Sequence, residues 1–297
     1  MKIILSITLL MLSTFCFAAV KEKKSSYYVS WELCDQCSEP ESVYHDVETK
    51  TIFISNVVGQ PDKADGQGWI QKISESGKMT STKWIEGLNA PKGMRSHKST
   101  LYVSDIHDVL VIDIATGKIL KKINIGDSKF LNDIAITNDG TIYVSDTFGS
   151  KIYQINPDGT VSVFAQGNHL EAPNGLLING DDLIVAAWGI PDANWKTKIP
   201  GNLYKLNLKT KKKTLITKKP AGNLDGLEID ELGNYLVSDW MAGKVFSITP
   251  SGNVSVMLSG MKGSADIGYI AKQKMLIVPR MAENLITAYD LTKPINK

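Results

Sequence analysis

Six related segments recur along the chain: "IFISNV" (52–57), "LYVSDI" (101–106), "IYVSDT" (142–147), "LIVAAW" (183–188), "YLVSDW" (235–240) and "MLIVPR" (275–280), spaced 40 to 52 residues apart. Each is rich in β-branched and aliphatic residues, and no long stretch carries a helical period. Turn pairs fall between them, at Ser76-Gly77, Thr116-Gly117, Asp158-Gly159 and Ser251-Gly252. A repeat of about 40–50 residues built from four short strands is a propeller blade. The chain is therefore predicted to be all-β, a six-bladed β-propeller. A β-sandwich with accidental regularity is the competing architecture. After "MLIVPR" only one more strand, "NLITAYDL" (284–291), fits, which leaves the last blade one strand short. The segment "SSYYVSW" (25–31) alternates like a strand and is predicted to close that blade, joining the two ends of the ring and removing an exposed edge.

What precedes each marker is equally regular. The six heads read "EPESVYHD", "APKGMRSH", "FLNDIAIT", "APNGLLIN", "NLDGLEID" and "SADIGYIA", and one polar residue stands at the shared position of each: Glu41, Lys92, Asn132, Asn174, Asp225 and Asp266. The first strand of a blade is innermost, so six such residues would converge on the propeller axis. Two carboxylates and two amide carbonyls, from Glu41, Asn132, Asn174 and Asp225, are hard oxygen donors of the kind calcium accepts in flexible geometry; another divalent cation could serve. Zinc and copper would want His or Cys, and the four histidines are not clustered. The competing reading is that Asn-Gly and Asp-Gly pairs merely form turns.

The first residues, "MKIILSITLLMLSTFCFAAVKEKK", are read as targeting rather than fold: Lys2, an apolar run from Ile3 to Phe17, and a cleavage site at Cys16-Phe17-Ala18. This assigns 1–18 to a signal peptide and 19–297 to the propeller domain, exported to a periplasm or secreted, with no stable membrane insertion after cleavage. Phe15 is too large for a lipobox at Cys16. Cleavage leaves Cys34 and Cys37 of "WELCDQC", expected to form a local disulfide in an oxidising compartment and to take no part in catalysis. A net charge of +2, with the lysine run at 209–219 free of interleaved aromatics, gives no reason to expect nucleic acid. The partner is expected to be a small molecule and the protein a monomer.

Taken together, "PES" (40–42), "FLND" (130–133), "PNGL" (173–176), "LDGLEID" (224–230) and "VSDW" (237–240) resemble the senescence marker protein/gluconolactonase/luciferin-regenerating enzyme (regucalcin-like) family, and more distantly paraoxonase and diisopropyl fluorophosphatase. The resemblance spans essentially the whole mature chain. It implies a six-bladed propeller with a divalent cation, usually calcium, on the axis. It also implies Glu41, Asn174 and Asp225 as ligands, Asn132 shared between metal and substrate, and hydrolysis of lactones or related esters. The chain departs from the family at Lys92, which sets an ammonium among the heads to weaken a cation site, hold an anionic substrate or pair with Asp266. It also lacks the substrate-binding arginine pattern of sugar-lactone members near Asn132.

On this reading a carboxylate, Asp225 or Asp266, takes the proton of the attacking water. The antiparallel return of each blade should bring the ends of the second strands, Asn56, Asp105, Asp146, Trp188, Asp239 and Arg280, to the channel mouth, with His107 beside them. Lys92, Asn132, His107, Trp188 and Arg280 are thus the candidate substrate contacts, and the long segment 188–201 with Trp188 and Trp195 could cover them. Two other classes stay open. One is a non-catalytic propeller that binds a ligand or protein around a structural calcium ion. The other is a strictosidine-synthase-like propeller, which the oxygen-bearing heads speak against.

Overall fold

The computed structural model describes residues 27–33, 36–192 and 196–295. The predicted signal peptide, Cys34 and Trp195 lie outside the described residues. Six four-stranded antiparallel sheets stand around one axis. Five are meanders of consecutive strands. Their innermost strands are Pro40–Asp46, Pro91–His97, Leu131–Ile136, Pro173–Asn179 and Leu224–Ile229, and each runs antiparallel to the second strand of its own blade. The sixth sheet runs from Gly268–Ile270 outward through Met275–Arg280 and Leu285–Pro294, and its outermost strand is Tyr27–Leu33 from the other end of the chain. The ring is closed by an N-terminal strand, as the missing strand of blade 6 required. Each innermost strand packs beside the next, and that of blade 6 returns to that of blade 1.

The second strands are buried on both faces, which is why they read as nearly continuous apolar runs; Ile142–Asp146 and Tyr235–Asp239 are buried throughout. Six apolar clusters hold the ring together, one in each joint between neighbouring blades. The turns fall where glycine permits them: Gly140, in the turn between the first two strands of blade 3, sits at φ +88°, a conformation an L side chain avoids. Among the described residues no helix is long and apolar enough to cross a membrane.

Candidate metal centre

Every blade from 1 to 5 has a register shift at the start of its innermost strand. In blade 3, Leu131 pairs Asp146 and Ile134 pairs Val144, so one extra residue is accommodated over Asn132 and Asp133. The same bulge falls after Pro40, Pro91, Pro173 and Leu224. A bulge re-aims a side chain that the pleat would otherwise send into the packed joint. This is how polar residues open strands that continue as apolar core. Glu41, Lys92, Asn132, Asn174, Asp225 and Asp266 are all buried. The glycines that follow three of them are not in turns. A Cβ on Gly93 would strike Asp133, one on Gly175 would lie 2.1 Å from the Asp225 carbonyl, and one on Gly226 would strike Ile267, so glycine lets adjacent inner strands meet.

Five of the six heads, all but Asp266, line one cavity of about 460 Å³ together with Phe130, Thr147, Trp188, Trp240, Met241 and Met281. Within it, Glu41 Oε2, Asn174 Oδ1 and Asp225 Oδ1 are buried with no hydrogen-bond partner. Three orphaned oxygens, two of them on carboxylates, are costly unless something positive meets them. The donor set therefore fits a hard cation. Among the described residues no group of three or more His, Cys, Asp or Glu gathers at a metal-binding spacing; the cavity floor has two such residues, Glu41 and Asp225, with Glu39 apart at the rim, and completes its set with amide oxygens, as an oxygen-preferring ion would require. Asn132 donates through Nδ2 to Thr147 Oγ1 at 3.3 Å, which leaves its carbonyl as the acceptor end.

The electrostatics agree. Burial, reinforced by Asp225 and Asp266, pushes Glu41 well above the ordinary carboxylate range. Burial and the charge of Asp133 push Asp225 up to about 8. Burial brings Lys92 down to about 8 against the pull of Glu41. The Lys92 ammonium donates to the carbonyls of Pro61 and Ala90, both at 2.9 Å, and lies 4.4 Å from the centre of the Phe130 ring. Two of its three donors are thus engaged by the frame, and one remains for a bound molecule.

Several expectations are corrected. Asp266 does not line the cavity. Its Oδ2 accepts from Ser42 Oγ at 2.5 Å, its backbone bridges blade 1, and its basic neighbour is Arg95, not Lys92. Arg95 serves Asp133, Glu228 and Asp266 together, and its Nη2 lies 3.4 Å from Glu228 Oε1. His107 is exposed and bonds Ser128 Oγ, and Arg280 is held by Glu283 at 2.6 Å; neither reaches the cavity. Trp188 does. The strand-end residues turn away from the mouth to brace the backbone: Asp105 accepts from the amides of Asn89 and Ala90, Asp146 from Lys129, Phe130 and Gly149, Asp239 from Ala242, and Asn56 from Ser38. The residue one place further on faces the axis instead. Thr147, Trp188, Trp240 and Met281 occupy that place and line the cavity; Val57 and Ile106 occupy it in blades 1 and 2 and pack with Met281. Strand alternation was the signal that could have found Thr147, Trp240 and Met281. Cys37 Sγ lies 3.6 Å from Gln71 Oε1 and outside the cavity lining; its pairing with Cys34 falls outside the described residues.

A family profile described as "SMP-30/Gluconolactonase/LRE-like region" matches residues 59–259. A gluconolactonase structure from Xanthomonas campestris superposes with a TM-score of 0.65 at 15% identity, covering 89% of this chain and 88% of that one. A streptogramin B lyase superposes at 0.61 and 11% identity over 90% of this chain and 99% of that one. A virginiamycin B lyase from Staphylococcus aureus superposes at 0.59 and 14% identity, over 88% and 98%. These likenesses show the shared fold. None of the curated proteins matches the sequence.

Proposed function

Because the chain belongs to the SMP-30/gluconolactonase/LRE-like family, we propose that it is a calcium-dependent hydrolase of lactones or related esters, exported to a periplasm or secreted. The observation that carries the reading is the set of orphaned oxygens on Glu41, Asn174 and Asp225 inside one cavity. These three would hold the cation, with Asn132 beside them. When bound, calcium supplies Lewis-acid polarisation of the scissile carbonyl and neutralises the clustered carboxylates.

The chain's own residues do the rest. Asn132 is fixed by Thr147 and orients the carbonyl. Asp225, among the strand heads that line the cavity, accepts the proton of the attacking water as the new C–O bond forms, and returns it to the alkoxide as the ring C–O bond breaks. Asp266 lies behind the wall and acts through the backbone of Glu41, whose carbonyl accepts from the Asp266 amide at 2.9 Å. Trp188 and Trp240, with ring centres 6.1 Å apart, keep bulk water from that side. Among the described residues the cavity lining contains no histidine, so proton transfer falls to its carboxylates.

Calorimetry with calcium, paired with a panel of lactones and aryl esters with and without chelator, tests the proposal. Wild type should bind one calcium ion, and chelator should abolish turnover. Asp225→Ala should weaken calcium by more than the ~10–100-fold typical of losing an outer-shell partner. A wild type that binds no divalent cation at millimolar concentration would leave a non-catalytic ligand-binding propeller as the better account.

A further inference from the structure

The cavity has two rings of different chemistry. Its floor is the polar ring of strand heads. Its wall comes from residues just beyond the second strands: Trp188, Trp240 and Met281 line it as apolar groups and Thr147 is the polar exception, while Val57 and Ile106 pack against Met281 outside the lining. Phe130 and Met241 extend the wall. Several of the polar groups beside that wall already have partners in the frame, although Lys92 keeps one donor and Gln60 also stands in the lining. Thr147 Oγ1 donates to the Pro173 carbonyl at 3.0 Å and accepts from Asn132; Lys92 has two donors on carbonyls; Glu39 at the rim accepts from the Gly59 amide. A polyhydroxylated ring placed here would exchange the water of every hydroxyl that faces the apolar side chains for contacts that cannot hydrogen-bond, at a cost for each group left unpaired.

We propose that this site selects lactones or esters carrying an alkyl or aryl substituent and discriminates against sugar lactones. The polar floor takes the ring carbonyl and the apolar wall takes the substituent. The proposal rests on the hydrolase reading only for the choice of ring chemistry. Each methylene laid against such a wall contributes up to about fourfold in affinity or kcat/KM, the equivalent of ~0.8 kcal/mol.

The test uses the calcium-loaded protein and two matched series. γ-Lactones from γ-butyrolactone to γ-octalactone, with gluconolactone beside them, report kcat/KM. The corresponding γ-lactams, which resist hydrolysis, report affinity by calorimetry. Both quantities should climb with chain length, and gluconolactone should fall below γ-octalactone by at least tenfold. Trp240→Ala should flatten the climb. Met241→Ser, at a rim position 52% exposed and so safe for folding, should flatten it less but in the same direction. Lactam affinity that climbs while no lactone is hydrolysed supports this inference and removes the hydrolase reading. Hydrolysis with lactam affinity flat across the series, or with gluconolactone preferred, overturns this inference and leaves the hydrolase reading in place.

Discussion

At the scale of single residues, the axial carboxylates tie stability to pH. Asp225 is pushed up to about 8 from an ordinary value of 3.8, and Glu41 moves the same way. Between those limits the folded, cation-free protein holds protons that the unfolded chain releases, so its stability falls as pH rises from about 4 to about 8. Calcium, if held by the ionised carboxylates as proposed, would remove that loss. The calcium-induced rise in melting temperature should therefore be larger near pH 8 than near pH 5 in fluorimetric melts, and an equal rise at both would exclude Glu41 and Asp225 as ligands. The Lys92 ammonium would work against the proposed cation. Lys92→Met should tighten calcium on the order of tenfold (~1.4 kcal/mol), yet lower the melting temperature, because the Pro61 and Ala90 carbonyls lose their donor. The heads were legible in the sequence because a polar residue at matched register interrupts an apolar pattern six times. His107 and Arg280 were misjudged because proximity to a strand end says nothing about which way the pleat turns the side chain.

At the scale of the element, the serine of the "VSD" strands is a rivet between blades. Ser145 Oγ accepts from the Asp133 amide of its own blade and donates to the Asn174 carbonyl of the next at 2.7 Å. Ser238 repeats the pattern with the Gly226 amide and the Ala265 carbonyl, and Ser104 donates to the Asn132 carbonyl. Blade 4 has Ala186 there and does without it. Ser145→Ala leaves two buried backbone groups unpaired and should cost about 2 kcal/mol in urea unfolding. It should also weaken calcium, since one of those groups belongs to the backbone of Asn174. The strand content and blade count could be read directly, since β-branched runs and turn glycines are local signals. The bulges could not: they depend on how two strands register, and the Asn-Gly and Asp-Gly pairs that looked like turns are inner-strand positions where a neighbouring backbone comes too close for a Cβ.

At the scale of the whole molecule, closure is the decisive feature. Trp31 and Leu33 of the N-terminal strand pack into the joint between blades 6 and 1. Deleting residues 27–33 removes that burial, worth about 1.5–3 kcal/mol per large side chain, and bares the edge of Leu285–Pro294. The melting temperature should drop by about 10 °C in calorimetry, and the trimmed protein should self-associate on size exclusion. Sequence reasoning reached this closure by counting strands, because a ring must pair its last edge with something. The same joint carries a second seam, where Ser42 bridges Asp266 on the axis, while Tyr28 stands opposite Asp290 at the rim. Both seams join chain segments made more than two hundred residues apart. A ribosome delivers the first blade long before its partner exists, so the earliest part of the chain waits longest for its place. A latch of one seven-residue strand is also where a pulling force or a protease gains its first purchase on the ring.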